Sequence, residues 1–160
     1  MKIYLLRHGT AEPRGPGVPE AARALTPEGR AEIRAVSKQA AEAGASPGLI
    51  LSSPFTRALE TARLAGKALG CDRIFETKSA LPDIAPVQIW SEIREHHDVK
   101  ELLIAGHEPH MSGLAAFLLE AHVAIDMKKG ALLRIDVEDR EGPPRGVLKW
   151  MLTPRLAGAK

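Results

Sequence analysis

The chain holds a single cysteine, few aromatic side chains, almost no net charge and no long apolar run, and each shortage excludes something. With Cys71 alone there is no internal disulfide framework, which favours a reducing compartment, and the thiol reads as inert packing at a helix end. Lysine and arginine number 22 against 20 aspartates and glutamates, a formal charge of +2, and no basic run is interleaved with aromatics. A nucleic-acid partner is therefore not expected, and any bound anion should be small and held locally. The apolar stretch at the start, Ile3 to Leu6, is too short for a secretory signal, and Gly113 to Leu119 is stopped by Glu120 before it could span a bilayer. The expected setting is soluble and cytoplasmic, with no membrane partner.

What is present suits one globular domain over residues 1–160: 44% of the residues are hydrophobic and 26% charged. Lys2 to Leu6 reads as a buried strand. A loop rich in glycine and proline follows, in which Pro13, Pro16 and Pro19 exclude regular structure. Thr26-Pro27 is a helix start, a capping residue followed by proline, and Gly44 marks the stop. GLILSS is a second strand, and Ser53-Pro54 repeats the cap-and-proline signal ahead of an amphipathic stripe from Phe55 to Leu69. A weak strand near Arg73 to Thr77, a helix carrying Val87, Trp90 and Ile93, the strand ELLIAG and a helix opened by Pro109 complete the alternation. Trp90 and Trp150 read as core residues with polar edges. Leu133, Ile135 and Val137 alternate with polar residues, and VLKWMLTP reads as the returning strand of a hairpin. The predicted fold is a three-layer α/β/α sandwich, its central sheet mostly parallel, with a C-terminal antiparallel hairpin.

In open α/β sheets, ligands sit beyond the carboxyl ends of the parallel strands. The residues just past each predicted strand are Arg7, His8, Gly9 and Thr10; Ser52 and Ser53, with Arg57 in the next helical turn; Asp83; and Gly106-His107-Glu108-Pro109. Two arginines, two histidines, a carboxylate and helix N-termini would then converge on one rim. Arginine offers a planar fork of donors that matches phosphate oxygens and never loses its charge. Helix N-termini add backbone N–H groups and a positive dipole end. Nearby cations should lower the pKa of His8 and keep it in the neutral, nucleophilic form. Gly9 and Thr10, both small, would let a phosphoryl group approach.

The segments LLRHGTAE, SSPFTRALETA and AGHEPHMSGLA resemble, in order and spacing, the three signatures of the histidine phosphatase superfamily, the phosphoglycerate mutase-like proteins. The short chain and its LPDIAP segment look most like the SixA-type phosphohistidine phosphatases of that superfamily. The resemblance implies that His8 is phosphorylated during turnover, and that Arg7, Arg57 and His107 form the phosphate pocket, with Thr10 and Ser53 as further substrate-binding positions. It places Asp83 where many relatives carry a proton donor; from the residues alone Asp83 equally reads as the cap of the following helix. Glu108 stands where many relatives have Asn, and is expected to shape its loop.

Taken singly, each residue has a plain alternative: His8 as a structural histidine, Arg57 as a solvated helix residue, His107 as a loop hydrogen-bonder. Jointly they point to a phosphate site. No metal or other cofactor is expected, because His96-His97 lacks a carboxylate or thiolate at ligand spacing and His107/His110, three residues apart, do not form the H-E-x-x-H pattern. The expected activity is a phosphatase working through phosphohistidine. Because the loops past the strands are short, the preferred substrate is phosphohistidine on a phosphorylated protein. A small phosphorylated molecule is the second reading, and a phosphate-binding module without turnover the third.

Overall fold

A computed structural model describes all 160 residues. Six strands form one sheet: β1 (Lys2–Arg7), β2 (Leu49–Ser52), β3 (Ile74–Glu76), β4 (Glu101–Gly106), β5 (Leu132–Val137) and β6 (Gly146–Leu152). Their order is β3-β2-β4-β1-β5-β6. Neighbours from β3 to β1 pair in parallel, whereas β5 runs antiparallel to both β1 and β6. This is the expected architecture, and its reason lies in the connections. Helices α1 (Pro27–Glu42), α2 (Thr56–Leu69) and α3 (Pro86–Glu95) fill the long crossovers that parallel strands require, α4 (His110–Leu118) leads from β4 into the antiparallel β5, and β5 and β6 are joined by a short loop.

The two faces of the sheet are written in the strand alternation. In β1, Ile3 and Leu5 join a core with Ile89 and Ile93 of α3 and Leu114 and Leu118 of α4. Tyr4 and Leu6 point the other way, into a second core with Ile33 and Val36 of α1 and Ala62 and Ala65 of α2. Trp90 is buried, its indole N–H donating to the Gly142 carbonyl at 3.2 Å. Trp150 is only half buried, on the edge strand, with its ring 6.0 Å from that of Tyr4. Cys71 is buried at the end of α2, as expected of packing. No helix is long and apolar enough to cross a membrane.

Helix starts differ in one instructive place. Thr26 caps α1 as its sequence suggests, its hydroxyl accepting from the Gly29 N–H at 2.9 Å. Ser53 does not cap α2, which begins at Thr56 after Phe55. The Ser53 hydroxyl accepts from the Phe55 N–H at 3.3 Å, short of the helix, and is turned to a histidine of the site. The 11–25 loop is also less irregular than its prolines suggest: it holds a 3-10 turn at Glu20–Ala22, and Ala11 and Leu25 pair across its base.

The end of β1 and the start of α1 touch backbone to backbone. A Cβ on Gly9 would lie 2.6 Å from the Gly29 carbonyl oxygen, and one on Gly29 would lie 2.0 Å from the Thr10 carbonyl oxygen. Gly9, read from sequence as room for a ligand, is therefore required first by helix packing. Gly29→Ala is expected to destabilise the fold by about 2 kcal/mol or more, since the obstructing atoms are backbone. A lowered midpoint in urea denaturation, with an unchanged slope, is the expected result.

Candidate active site

Register assembles the site. Arg7 pairs with Gly106 and Ser52 with Ala105, so β1, β4 and β2 end at nearly the same height. One residue further along each strand stand His8, His107 and Ser53, and the backbone continues the row: the His8 N–H donates to the Gly106 carbonyl and the Ser53 N–H to the Ala105 carbonyl, both at 3.0 Å. Arg57 comes in from the first turn of α2. Four of the residues singled out from sequence are thus brought together, and His8, Arg57 and His107 are only 8%, 5% and 2% exposed.

The tautomer of His8 follows from its contacts. Its Nδ1 lies 2.7 Å from the Gly9 carbonyl oxygen, which can only accept, so Nδ1 carries the proton and Nε2 the lone pair. Arg57 Nε donates to that Nε2 at 3.2 Å. The rest of the Arg57 guanidinium is also engaged. Nη1 donates to the Glu20 carbonyl at 2.9 Å, Nη2 pairs with the Glu20 carboxylate at 3.0 Å, and the plane sits 5.1 Å from the centre of the Phe55 ring. Glu20 itself is gripped by Arg23 at 2.9 Å and by Arg14 at 2.8 Å. A carboxylate and a carbonyl from the 11–25 loop therefore occupy the outer donors of Arg57.

His107 Nε2 lies 2.7 Å from the Ser53 hydroxyl, and the His107 and His8 rings are 5.2 Å apart. The Phe55 ring stands 5.1 Å from His107 on another side. Nδ1 of His107 is buried without a partner, as is Nε of Arg7, whose Nη1 donates to the Met127 carbonyl at 2.6 Å. Glu108 shapes its loop, as expected: its carboxylate accepts from the Ser112 backbone N–H at 2.8 Å and the Ser112 hydroxyl at 2.7 Å, tying down the first turn of α4.

Two of the sequence candidates stand apart from this cluster. Thr10 donates its N–H and its hydroxyl to the Glu32 carboxylate at 2.8 and 3.0 Å, which commits both of its donors to α1. Asp83 is exposed in the turn before α3 and makes no hydrogen bond or ion pair; the N-cap position of α3 is held by Ala85, so Asp83 is not the helix cap. Glu20 and Thr61 were not singled out from sequence. Thr61 accepts from the Gly9 N–H at 3.4 Å and donates to the Arg57 carbonyl at 2.7 Å, linking the end of β1 to α2. A glutamate in a proline-rich loop and a threonine inside a helix carry no local signal of such contacts.

Both histidines are held neutral. Burial lowers His8 to about 4, with Arg57, Arg7 and Arg23 adding to the effect while its bond to the Gly9 carbonyl opposes it. Burial also lowers His107 to about 3, helped by His8 and Arg57. The direction is the one expected from sequence, but removal from water is the larger cause and neighbouring charge the smaller.

The fold and cluster define a class: a mixed, mostly parallel α/β sheet whose rim carries two buried histidines beside a buried arginine. The model of the histidine phosphatase superfamily (branch 1) matches residues 3–85, and the chain belongs to that superfamily. An uncharacterised protein of Picosynechococcus sp. (strain ATCC 27264 / PCC 7002 / PR-6) is 28% identical over 138 residues, covering 83% of each chain. Among solved structures, the protein histidine phosphatase SixA complexed with tungstate superposes with a TM-score of 0.88 at 22% identity, over 97% of this chain and 98% of that one. The putative phosphohistidine phosphatase SixA from Agrobacterium tumefaciens gives 0.80 at 24% identity, covering 96% and 98%. A putative alpha-ribazole-5'-P phosphatase from Escherichia coli K-12 gives 0.72 at 18% identity, also covering 96% and 98%. At these identities the likeness is one of fold.

Because the unfolded chain takes up protons near pH 6.5 and the folded pocket resists them until about pH 4 for His8 and 3 for His107, the unfolded state binds more protons in between. Stability should fall as pH drops through that window, by on the order of a few kcal/mol, and level off below it. Histidine NMR titration should show both rings neutral at pH 5, while urea midpoints decline from pH 7 to pH 4.

Proposed function

We propose that the protein is a metal-independent phosphatase that transfers the phosphoryl group to His8 and then to water. The observation that carries this reading is the fixed tautomer: Nδ1 is held by the Gly9 carbonyl, so the lone pair sits on Nε2 among buried cations. An incoming phosphoryl group displaces the Glu20 carboxylate, and the Arg57 donors move from Glu20 and Nε2 to its oxygens. His8 Nε2 attacks phosphorus in line, forming a P–N bond as the bond to the leaving group breaks with its electron pair. Arg7, Arg57 and His107 spread the charge on the equatorial oxygens, with Ser53 holding the His107 ring. Asp83 is the candidate donor of the proton that the leaving group needs. Water then attacks phosphorus, the P–N bond breaks, and inorganic phosphate leaves with His8 restored.

Phosphohistidine on a protein is the preferred substrate. The 11–25 loop meets Arg57 through Glu20, and the solved structures similar to this chain include those described as SixA phosphohistidine phosphatases. A small phosphomonoester is the second reading, favoured by the likeness to a structure described as a putative alpha-ribazole-5'-P phosphatase.

His8→Ala should lower turnover by on the order of a thousandfold or more and abolish acid-labile, alkali-stable phosphate on the chain. Near-normal turnover in a folded His8→Ala protein overturns the mechanism, and side-by-side rates on a phosphohistidine protein and a panel of sugar phosphates rank the two substrate readings. Glu20→Gln removes the competing negative charge from Arg57. Calorimetry with inorganic phosphate or tungstate should show several-fold tighter binding by this variant, as expected when a charge pair in a partly buried site must be broken for the ligand to enter.

A further inference from the structure

A second cavity, about 660 Å³ in volume, opens on the same rim beside Arg7, away from Arg57. The antiparallel end of the sheet builds it. Because β5 runs against β1, the segment before β5 arrives at the height where β1 ends; the Gly130 N–H donates to the His8 carbonyl and the Arg7 N–H to the Ala131 carbonyl, both at 3.0 Å. Because β6 runs against β5, the chain past Leu152 returns to the same place, where Leu152 pairs with Leu132. Gly130 has φ +74° and a Cβ there would lie 2.9 Å from Pro154 Cγ, so the two segments pack directly on each other. A compact turn, with the Ala157 N–H on the Thr153 carbonyl at 3.0 Å and the Ala159 N–H on the Pro154 carbonyl at 2.9 Å, holds the segment that bears Arg155.

The charge in this cavity is unbalanced. Five of its eleven lining residues are cationic, two are glutamates, and one is hydrophobic. One glutamate, Glu32, has both oxygens taken by Thr10, and it pairs with none of the cations. Lys128 is paired with Asp126 at 2.7 Å. Lys129 and Arg155 make no ion pair or side-chain hydrogen bond, and Nε of Arg7 is buried without a partner. Arg7 lines this cavity and directly precedes His8, and its backbone N–H is bonded to the Ala131 carbonyl on the cavity wall. Unpaired cations lining one cavity repel one another, and an anion entering between them relieves the repulsion.

We infer that this cavity is a second anion subsite, which takes a phosphate or carboxylate group carried by the same substrate whose phosphoryl group enters at His8. The inference rests on the proposed phosphatase reading and deepens it: the substrate class is one with a second oxyanion near the transferred phosphate. That group comes either from a small bisphosphate or from acidic residues flanking a phosphorylated side chain of a protein. An apolar extension gains nothing here.

The test compares substrates that differ only in the second charge. Propyl phosphate is paired with propane-1,3-diyl bisphosphate, and a phosphohistidine peptide flanked by serines with one flanked by aspartates. In the wild-type protein at least one doubly charged member should show the lower KM, with the advantage shrinking as salt is raised. The Lys129→Ala/Arg155→Ala variant should raise that KM about five- to tenfold while leaving kcat and the KM of propyl phosphate within twofold, the size expected for two exposed charge contacts. Whichever pair responds identifies the source of the second group. Equal KM values within both pairs overturn the subsite, as does an equal rise for singly and doubly charged substrates in the variant. If no substrate turns over, the phosphatase reading fails; calorimetric binding of the bisphosphate, tighter than that of propyl phosphate in wild type but not in the variant, then still supports the subsite, and equal binding overturns it.

Discussion

The in-register parallel pairing of β1, β4 and β2 is the constraint on which the rest depends. Backbone hydrogen bonds set Arg7 opposite Gly106 and Ser52 opposite Ala105, and the strands stop together. Residues roughly fifty and one hundred positions apart in sequence then occupy adjacent places in one row, as His8, Ser53 and His107 do. A slip of one residue in either pairing would turn alternate side chains to the opposite face and bury Ser52 and Ala105 against the wrong helices. The two cores, one for each parity of β1, oppose that slip, so the packing of the sheet and the geometry of the site are stabilised by the same contacts.

Burial of that row has electrostatic consequences. Removal from water holds both histidines neutral and leaves the cations, arginines with delocalised and weakly hydrated charge, as the fixed charge of the pocket. A buried guanidinium needs its donors satisfied, and in this structure Arg57 satisfies them with His8 and with the carbonyl and carboxylate of Glu20. The Arg57 donors are thus taken up by the chain's own loop. Glu20 stays ionised there: burial alone would push its carboxyl up, but hydrogen bonding and charge from Arg23, Arg57 and Arg14 hold it below the usual range. Its proton is not available for a leaving group in this state.

Much of this was legible along the chain. The alternation in KIYLLR, the Thr26-Pro27 helix start and the RHG, SSPFTR and GHEP segments at strand ends identify the layers, the rim and four of the residues on it. The Ser53-Pro54 signal misled, because a serine beside a histidine makes a hydrogen bond that no local pattern encodes, and the cap was displaced to Phe55. Glu20 was invisible for a related reason: its partners Arg57, Arg23 and Arg14 converge only after the loop folds back over α2. Thr10, read as facing a ligand, is claimed by Glu32 two turns into α1, a contact set by the angle at which the helix leaves the loop.

By itself, the sequence determined what is local and periodic: which segments are strands or helices, which faces they bury, and which reactive side chains follow the strands. Those follow from hydrophobic spacing, capping chemistry and proline, which act over a few residues. Only the tertiary structure decided which nitrogen of His8 bears the lone pair, what occupies Arg57, how far burial lowers the two histidines, and that the chain's last segment walls a cationic cavity beside Arg7. Each of those is a matter of distance between groups remote in sequence, and such distances exist only once the sheet has closed its register.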